Sequence, residues 1–136
     1  MNVIVCLSDG GGMMFNNRRQ SRDAQVMKDI EKLVCDGVVF ISEFSLSLFS
    51  ESRVSVIAVS DPLSAAVPDD FVFLEDRGVG EHVLEIDKLI IYKWNRHYPT
   101  DFKFDIDPAA VGMKLSETVE LVGKSHEKIT REIWIQ

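Results

Sequence analysis

Histidine and cysteine are scarce in this chain, which has three histidines and two cysteines among its 136 residues. His82, His97 and His126 stand far apart and lack the paired His, Cys or Asp spacing that a metal site requires. The sequence therefore predicts no metal site. Cys6 lies in an apolar run and Cys35 near a helix end, and we expect both to be buried thiols.

Positive charge is also in short supply, because 15 Lys and Arg residues stand against 22 Asp and Glu residues, for a net charge of -7. A nucleic-acid binder normally carries a basic face, so nucleic acid is not an expected partner. No apolar run approaches the roughly 20 residues that cross a bilayer, and the start MNVIVCLSD has neither the basic nor the long apolar part of a signal peptide. We expect a cytoplasmic protein without a membrane segment.

The residues that are present suit one buried core. A hydrophobic content of 46% predicts a single domain over residues 1–136. Residues 21–34 have helical periodicity, with Ser21 expected as the cap and Gly37 as the residue that closes the helix. Buried strands are predicted at residues 3–7, 37–41, 54–59, 71–74 and 87–94, a short helix is favoured within residues 42–51, and residues 60–70 have loop composition.

The last third of the chain has a different pattern. Residues 114–122 and 128–135 alternate apolar and polar side chains on either side of the sequence GKSH, which predicts an antiparallel hairpin. Together these elements predict an α/β fold with one mixed sheet. The sheet is parallel in its first half, ends in a C-terminal antiparallel hairpin and is flanked by a few helices.

This order of elements, and several segments, resemble the dihydrofolate reductase-like fold family. NVIVCLSDGGGM, from Asn2, is similar to that family's first strand and mobile substrate loop, and SRDAQVMKDI, from Ser21, to its first helix. Asp23 stands at the position of the acidic residue that faces the pterin in that family. The segments IDKLIIYKWNRHYPTDFKFDID and KSHEKITREIWI resemble a later strand and loop and the last strand. The resemblance implies a divergent, shortened member of the family.

The same resemblance implies a weakened cofactor site. Ser42 and Glu43 stand where the family has a glycine and an arginine or similar group that meet the phosphates of NADPH, and a carboxylate there would repel a phosphate. The family's paired-glycine turn has one candidate counterpart, RGVGEHV from Arg77. NADPH is therefore disfavoured, and no cofactor is predicted with certainty.

Asp23 is the candidate catalytic residue. It shares a helix face with Met27 and Ile30, where burial would raise its carboxyl pKa, as suits a general acid. On this hypothesis, the change Asp23→Asn leaves stability equal or better. The alternative is structural, since an aspartate in a first helical turn is favoured by the helix dipole alone.

The candidate ligand-binding residues are Arg18, Arg19, Arg22, Met27 and Trp94. The arginines follow a glycine-rich stretch, and a guanidinium binds phosphate or carboxylate bidentately. The aromatic segment YKWNRHYP can stack a flat ring. Alternatively, the arginines pair with surface carboxylates and the aromatic rings are packing residues.

His126 falls in the predicted hairpin turn, where it is expected at the surface, and no order of Ser, His and Asp suggests a nucleophile. The leading hypothesis is a reductase-like domain that binds a small flat heterocycle, a pterin or a nucleotide, with a weakened or absent NADPH site. A working reductase and a non-enzymatic interaction or assembly module, with homo-oligomers, are alternatives. Nucleic-acid processing is a further one, since FNNRRQSRD and YKWNRHYP resemble segments of short bacterial proteins labelled ribonuclease Z. The zinc motif H-x-H-x-D-H of that enzyme family is absent.

Overall fold

A computed structural model describes all residues, 1–136, as ten β-strands and two α-helices with two 3₁₀ helices. The helices are α1 (Ala24–Val34) and α2 (Pro62–Ala65), and the 3₁₀ helices span Glu43–Phe49 and Gly80–Glu85. The strands are β1 (Asn2–Leu7), β2 (Gly12–Phe15), β3 (Arg18–Arg19), β4 (Val38–Ile41), β5 (Ser55–Ala58), β6 (Phe71–Leu74), β7 (Lys88–Lys93), β8 (Phe102–Lys103), β9 (Lys114–Leu121) and β10 (Ile129–Ile135).

The main sheet has seven strands in the order β5-β4-β6-β1-β7-β10-β9. Strands β5, β4, β6, β1 and β7 pair in parallel, whereas β10 runs antiparallel to both β7 and β9. A second sheet of three short strands has the antiparallel order β3-β2-β8. The prediction of a mixed α/β sheet with a parallel first half and a C-terminal antiparallel hairpin is confirmed.

Two hydrophobic layers cover the two faces of the main sheet, because successive strand residues point to opposite faces. On one face α1 buries Val26, Ile30 and Val34 against sheet residues that include Ile4 and Tyr92. The opposite layer contains Val3, Val5, Leu7, Met13, Leu89 and Met113. Met27 is only half-buried, so it is free to line a cleft beside α1.

Both ends of α1 differ from the prediction. Asp23, not Ser21, is the N-cap, because its carboxylate accepts a hydrogen bond from Gln25 N at 2.9 Å. At the other end Cys35 closes the helix with a positive φ of 55°, two residues before Gly37. Cys35 is exposed and Cys6 is half-buried, so the expectation of two buried thiols is wrong.

Three further differences concern short elements. The segment 42–51 contains a helix, as favoured, but it is a 3₁₀ helix. The predicted loop 60–70 includes the single turn of α2, and the sheet β3-β2-β8 was not expected. Four of the elements, α2, β2, β3 and β8, have only two to four residues each. Such short segments show no periodic signal in the sequence. The longest helix, α1, has 11 residues and an exposed polar face, so no helix is suited to cross a bilayer.

Candidate functional site

Asp23 is buried beneath the turn that joins β9 to β10. Its Oδ1 accepts hydrogen bonds from Gln25 N and Lys124 N, each at 2.9 Å. Its Oδ2 accepts from the backbone N–H groups of Lys124 at 2.9 Å, Ser125 at 2.8 Å and His126 at 3.2 Å. Oδ2 also accepts a hydrogen bond from the Ser125 hydroxyl at 3.1 Å and lies 3.0 Å from His126 Nδ1. One carboxylate therefore joins the start of α1 to the hairpin turn.

This environment lowers the pKa of Asp23 below its ordinary value. Burial by itself would raise that pKa, but hydrogen bonds from Lys124, His126, Gln25 and Ser125 outweigh it by stabilising the charged form. The expectation of a raised pKa is wrong, because the donors come from a turn about a hundred residues away in sequence. The assignment of Asp23 as a catalytic residue stays a prediction.

His126 is buried, with 3% of its surface exposed, and not at the surface as expected. Its ring stacks on Trp94, with centroids 4.6 Å apart and planes 21° apart. On its far side, Nε2 lies 3.0 Å from Ser21 Oγ and 3.0 Å from the Tyr98 hydroxyl. A hydrogen-bonded chain therefore runs from Asp23 through His126 to two hydroxyl groups. No sequence pattern marks it, because its members come from three separate segments.

A cleft of about 600 Å³ lies between α1 and the 3₁₀ helix Glu43–Phe49, and we call it the helix cleft. Three basic side chains line it, and none of them forms an ion pair. The lining residues are Arg22, Asp23, Ala24, Met27, Lys28, Glu31, Ser47, Leu48, Ser50, Glu51, Ser52, Lys124 and Ser125. Two of the predicted ligand residues, Arg22 and Met27, are among them.

A smaller cavity, the inner cleft, adjoins the helix cleft and shares Arg22, Asp23, Met27 and Leu48 with it. Its volume of about 20 Å³ suffices for one water molecule and not for a bicyclic ring. Cys6, Ser21, Phe73 and Trp94 also line it. Burial raises the pKa of the Cys6 thiol, so this sulfur is a poor nucleophile.

No single cleft is lined by all three arginines. Arg19 turns to Glu75 and pairs with it through two hydrogen bonds, of which Nη2 to Oε2 measures 2.9 Å. Its guanidinium also lies over the Phe44 ring, 5.4 Å from the centroid. Arg18 is exposed and lines a separate cleft of about 410 Å³ with Phe15. Arg22 alone of the three reaches the helix cleft.

The central β1, the parallel crossover through α1 and the C-terminal hairpin define a dihydrofolate reductase-like fold. Among solved structures, the chain is similar to "Dihydrofolate reductase from Enterococcus faecalis complexed with NADP(H)and RAB-propyl", with a TM-score of 0.69 over 98% of this chain and 94% of that chain. The sequence identity is 11%, so the likeness shows the fold and not the activity. No protein-family model and no curated protein sequence matches the chain.

Proposed function

We propose that the chain binds a small molecule with a flat heterocyclic part and an anionic part, such as a pterin conjugate or a nucleotide, in the helix cleft. The observation that carries this proposal is the cleft itself, whose volume of about 600 Å³ falls in the range of small-molecule sites. A ring of this kind would lie against Met27 and Leu48, the larger apolar side chains of the lining.

The charges of the helix cleft support an anionic ligand. Arg22, Lys28 and Lys124 are exposed cations without an acidic partner, in a protein with a net charge of -7. Hydroxyl groups from Ser47 and Ser52 add donors along the same walls, whereas the Ser50 hydroxyl donates to the Ser47 carbonyl oxygen at 3.0 Å. The carboxylates of Glu31 and Glu51 are available for N–H groups of a heterocycle. Asp23 has its acceptor positions filled by protein donors, so it shapes this site by holding the hairpin turn.

The residues at the cofactor side do not fit the pyrophosphate of NADPH. In the turn before the second 3₁₀ helix, the N–H groups of Val79 and Gly80 already donate to the Asp105 carboxylate, at 2.9 and 2.8 Å. A Cβ at Gly78 would overlap that same carboxylate. Glu75 and Asp76 follow β6 directly, but ion pairs with Arg19 and Arg77 offset their charges. These contacts support a weakened or absent NADPH site.

NADPH is expected not to saturate the protein below about 100 µM in a fluorescence titration. The physical reason is that the Asp105 carboxylate occupies the backbone donors that a pyrophosphate would need and would itself repel phosphate. The control is a commercial dihydrofolate reductase under the same conditions. A submicromolar dissociation constant for this chain would contradict the proposal of a weakened site.

Folate and a panel of nucleoside monophosphates are expected to include a ligand that raises the unfolding temperature. At 100 times its dissociation constant such a ligand adds about 2.7 kcal/mol to the free energy of unfolding. The double change Arg22→Gln and Lys124→Gln should weaken its binding about tenfold or more, because two charge-assisted contacts are lost.

The matched control for that experiment is the double change Arg96→Gln and Lys114→Gln, which removes the same charges from exposed positions outside the helix cleft. Binding should then stay within about twofold of the unchanged protein, since distant surface charges are screened. Equal losses in both double variants would indicate attraction by net charge alone. Absence of any stabilising ligand would overturn the proposed function.

A further inference from the structure

Ser21, His126 and Asp23 have the relative positions of a nucleophile, a base and an orienting carboxylate. Asp23 Oδ2 lies 3.0 Å from His126 Nδ1, and His126 Nε2 lies 3.0 Å from Ser21 Oγ. With the Nδ1 hydrogen donated to Asp23, Nε2 is the atom that accepts a proton from the serine. This constellation recurs on unrelated folds and is recognised by its geometry and not by sequence order.

The imidazole is held firmly in this orientation. The Trp94 ring covers one of its faces at 4.6 Å, and the Asp23 carboxylate is fixed by backbone N–H groups of the hairpin turn. The Ser125 hydroxyl, 3.1 Å from Nδ1, also lies 3.1 Å from Asp23 Oδ2 and from the Arg22 carbonyl oxygen, so its hydrogen has acceptors other than the ring. Nδ1 therefore stays the donor to Asp23.

Two hydroxyl groups compete for Nε2, and Ser21 is the one that faces a cavity. Tyr98 also lies 3.0 Å from Nε2, but its hydroxyl can donate to Ser21 Oγ at 3.4 Å. This arrangement leaves the Ser21 hydrogen for Nε2, and the Tyr98 hydroxyl helps to hold Ser21 Oγ in position. Ser21 is half-buried and lines the inner cleft, whereas Tyr98 does not line it.

We infer that Ser21 is a nucleophile for acyl transfer, with His126 as its general base and Asp23 as the positioning residue, and that the substrates are small esters or thioesters. A substrate would enter from the helix cleft, since the two clefts share Arg22, Asp23, Met27 and Leu48. The inner cleft, at about 20 Å³, has room for one water molecule, so the side chains that line it must move to admit even an acetyl group.

The reaction balances with water as the second reactant. Ser21 Oγ forms a bond to the acyl carbon while its proton passes to His126 Nε2. The bond from the acyl carbon to the leaving oxygen or sulfur then breaks, and the leaving group takes that proton from Nε2. Water attacks the acyl-serine, gives one proton to His126 and releases the carboxylic acid, and the proton returns to Ser21 Oγ.

The experiment treats the purified protein with a small fluorophosphonate, which phosphonylates activated serines with loss of fluoride, and maps the product by mass spectrometry. A single label on Ser21 is expected, together with slow hydrolysis of p-nitrophenyl acetate. Ser21→Ala should abolish both signals, whereas Ser64→Ala should abolish neither. Ser64 is a matched control because its exposed hydroxyl donates to Asp61 at 2.8 Å without a histidine.

The change Tyr98→Phe distinguishes the roles of the Ser21 and Tyr98 hydroxyl groups, because it removes only the second of them. It should slow labelling of Ser21 by up to about tenfold, because one hydrogen bond that positions Ser21 Oγ is lost, but the label should stay on Ser21. No label on the folded protein, a label elsewhere, or a label that persists in Ser21→Ala overturns the inference. None of these three outcomes affects the proposed ligand binding, because the probe does not need the cations of the helix cleft.

Discussion

Replacing Asp23 by alanine is expected to lower the free energy of unfolding by about 3–5 kcal/mol, the range for removing one partner of a buried charged network. The change leaves backbone N–H groups of Gln25, Lys124, Ser125 and His126 without their acceptor. A buried donor without a partner costs about 1–3 kcal/mol. The measurement is urea unfolding followed by circular dichroism.

The milder change Asp23→Asn is expected to destabilise as well, which reverses the expectation drawn from the sequence. An amide keeps one acceptor for Gln25 or Lys124 but places an N–H₂ group among donors. Asp36→Asn is the matched control, since Asp36 is exposed at the end of α1. A loss of stability no larger in Asp23→Asn than in Asp36→Asn would contradict the capping role.

Acid titration provides a second readout of the same carboxylate. The pKa of Asp23 is lowered in the folded state, so the folded protein keeps the carboxylate ionised where the unfolded chain, with a pKa of about 3.9, takes up a proton. The stability that Asp23 contributes is therefore complete above about pH 5 and is lost as the pH falls below about 4. The difference in unfolding free energy between the unchanged protein and Asp23→Asn should therefore shrink as the pH falls from about 5 to below about 4. A difference that stays constant over this pH range would contradict the lowered pKa of Asp23.

Much of the fold follows from local patterns in the sequence. The parallel strands are short apolar runs, such as residues 3–7 and 71–74, and the strands of the hairpin alternate apolar and polar residues. Each strand can therefore be predicted from its own residues. The order of these segments resembles that of the dihydrofolate reductase-like fold, which the structure has. The two-residue strands β3 and β8 could not be predicted, since they exist only through pairing with β2.

The candidate site was less predictable, because its polar contacts are long-range. The helix periodicity predicts that Asp23 and Met27 share one helix face, and both residues line the helix cleft. The pKa of Asp23 depends on donors 101 to 103 residues away, and the burial of His126 depends on Trp94 from another strand end. The three arginines looked equivalent in the sequence, but Arg18 and Arg19 are consecutive strand residues whose side chains point to opposite sides.

Arg19 and Glu75 give the second large expected effect. Glu75 is 8% exposed, and it accepts hydrogen bonds from Arg19 and from the Ser45 hydroxyl at 2.6 Å. Glu75→Ala leaves a half-buried guanidinium without its anion, and we expect a loss of about 3 kcal/mol of unfolding free energy. Arg19→Ala should cost a similar amount, since it leaves a buried carboxylate held by one hydroxyl.

The pair contributes through coupling, so the double variant Arg19→Ala and Glu75→Ala should lose less than the sum of the single losses. A coupling free energy of about 1.5–3 kcal/mol is expected from urea unfolding of the four proteins. The matched control is the ion pair of Lys128 and Glu120, which is 2.8 Å long with side chains 57% and 64% exposed. Water screens that pair, so its coupling should stay below about 1 kcal/mol. Equal coupling in the two cycles would mean that Arg19 behaves as a solvated arginine, free to meet a ligand as the sequence first suggested.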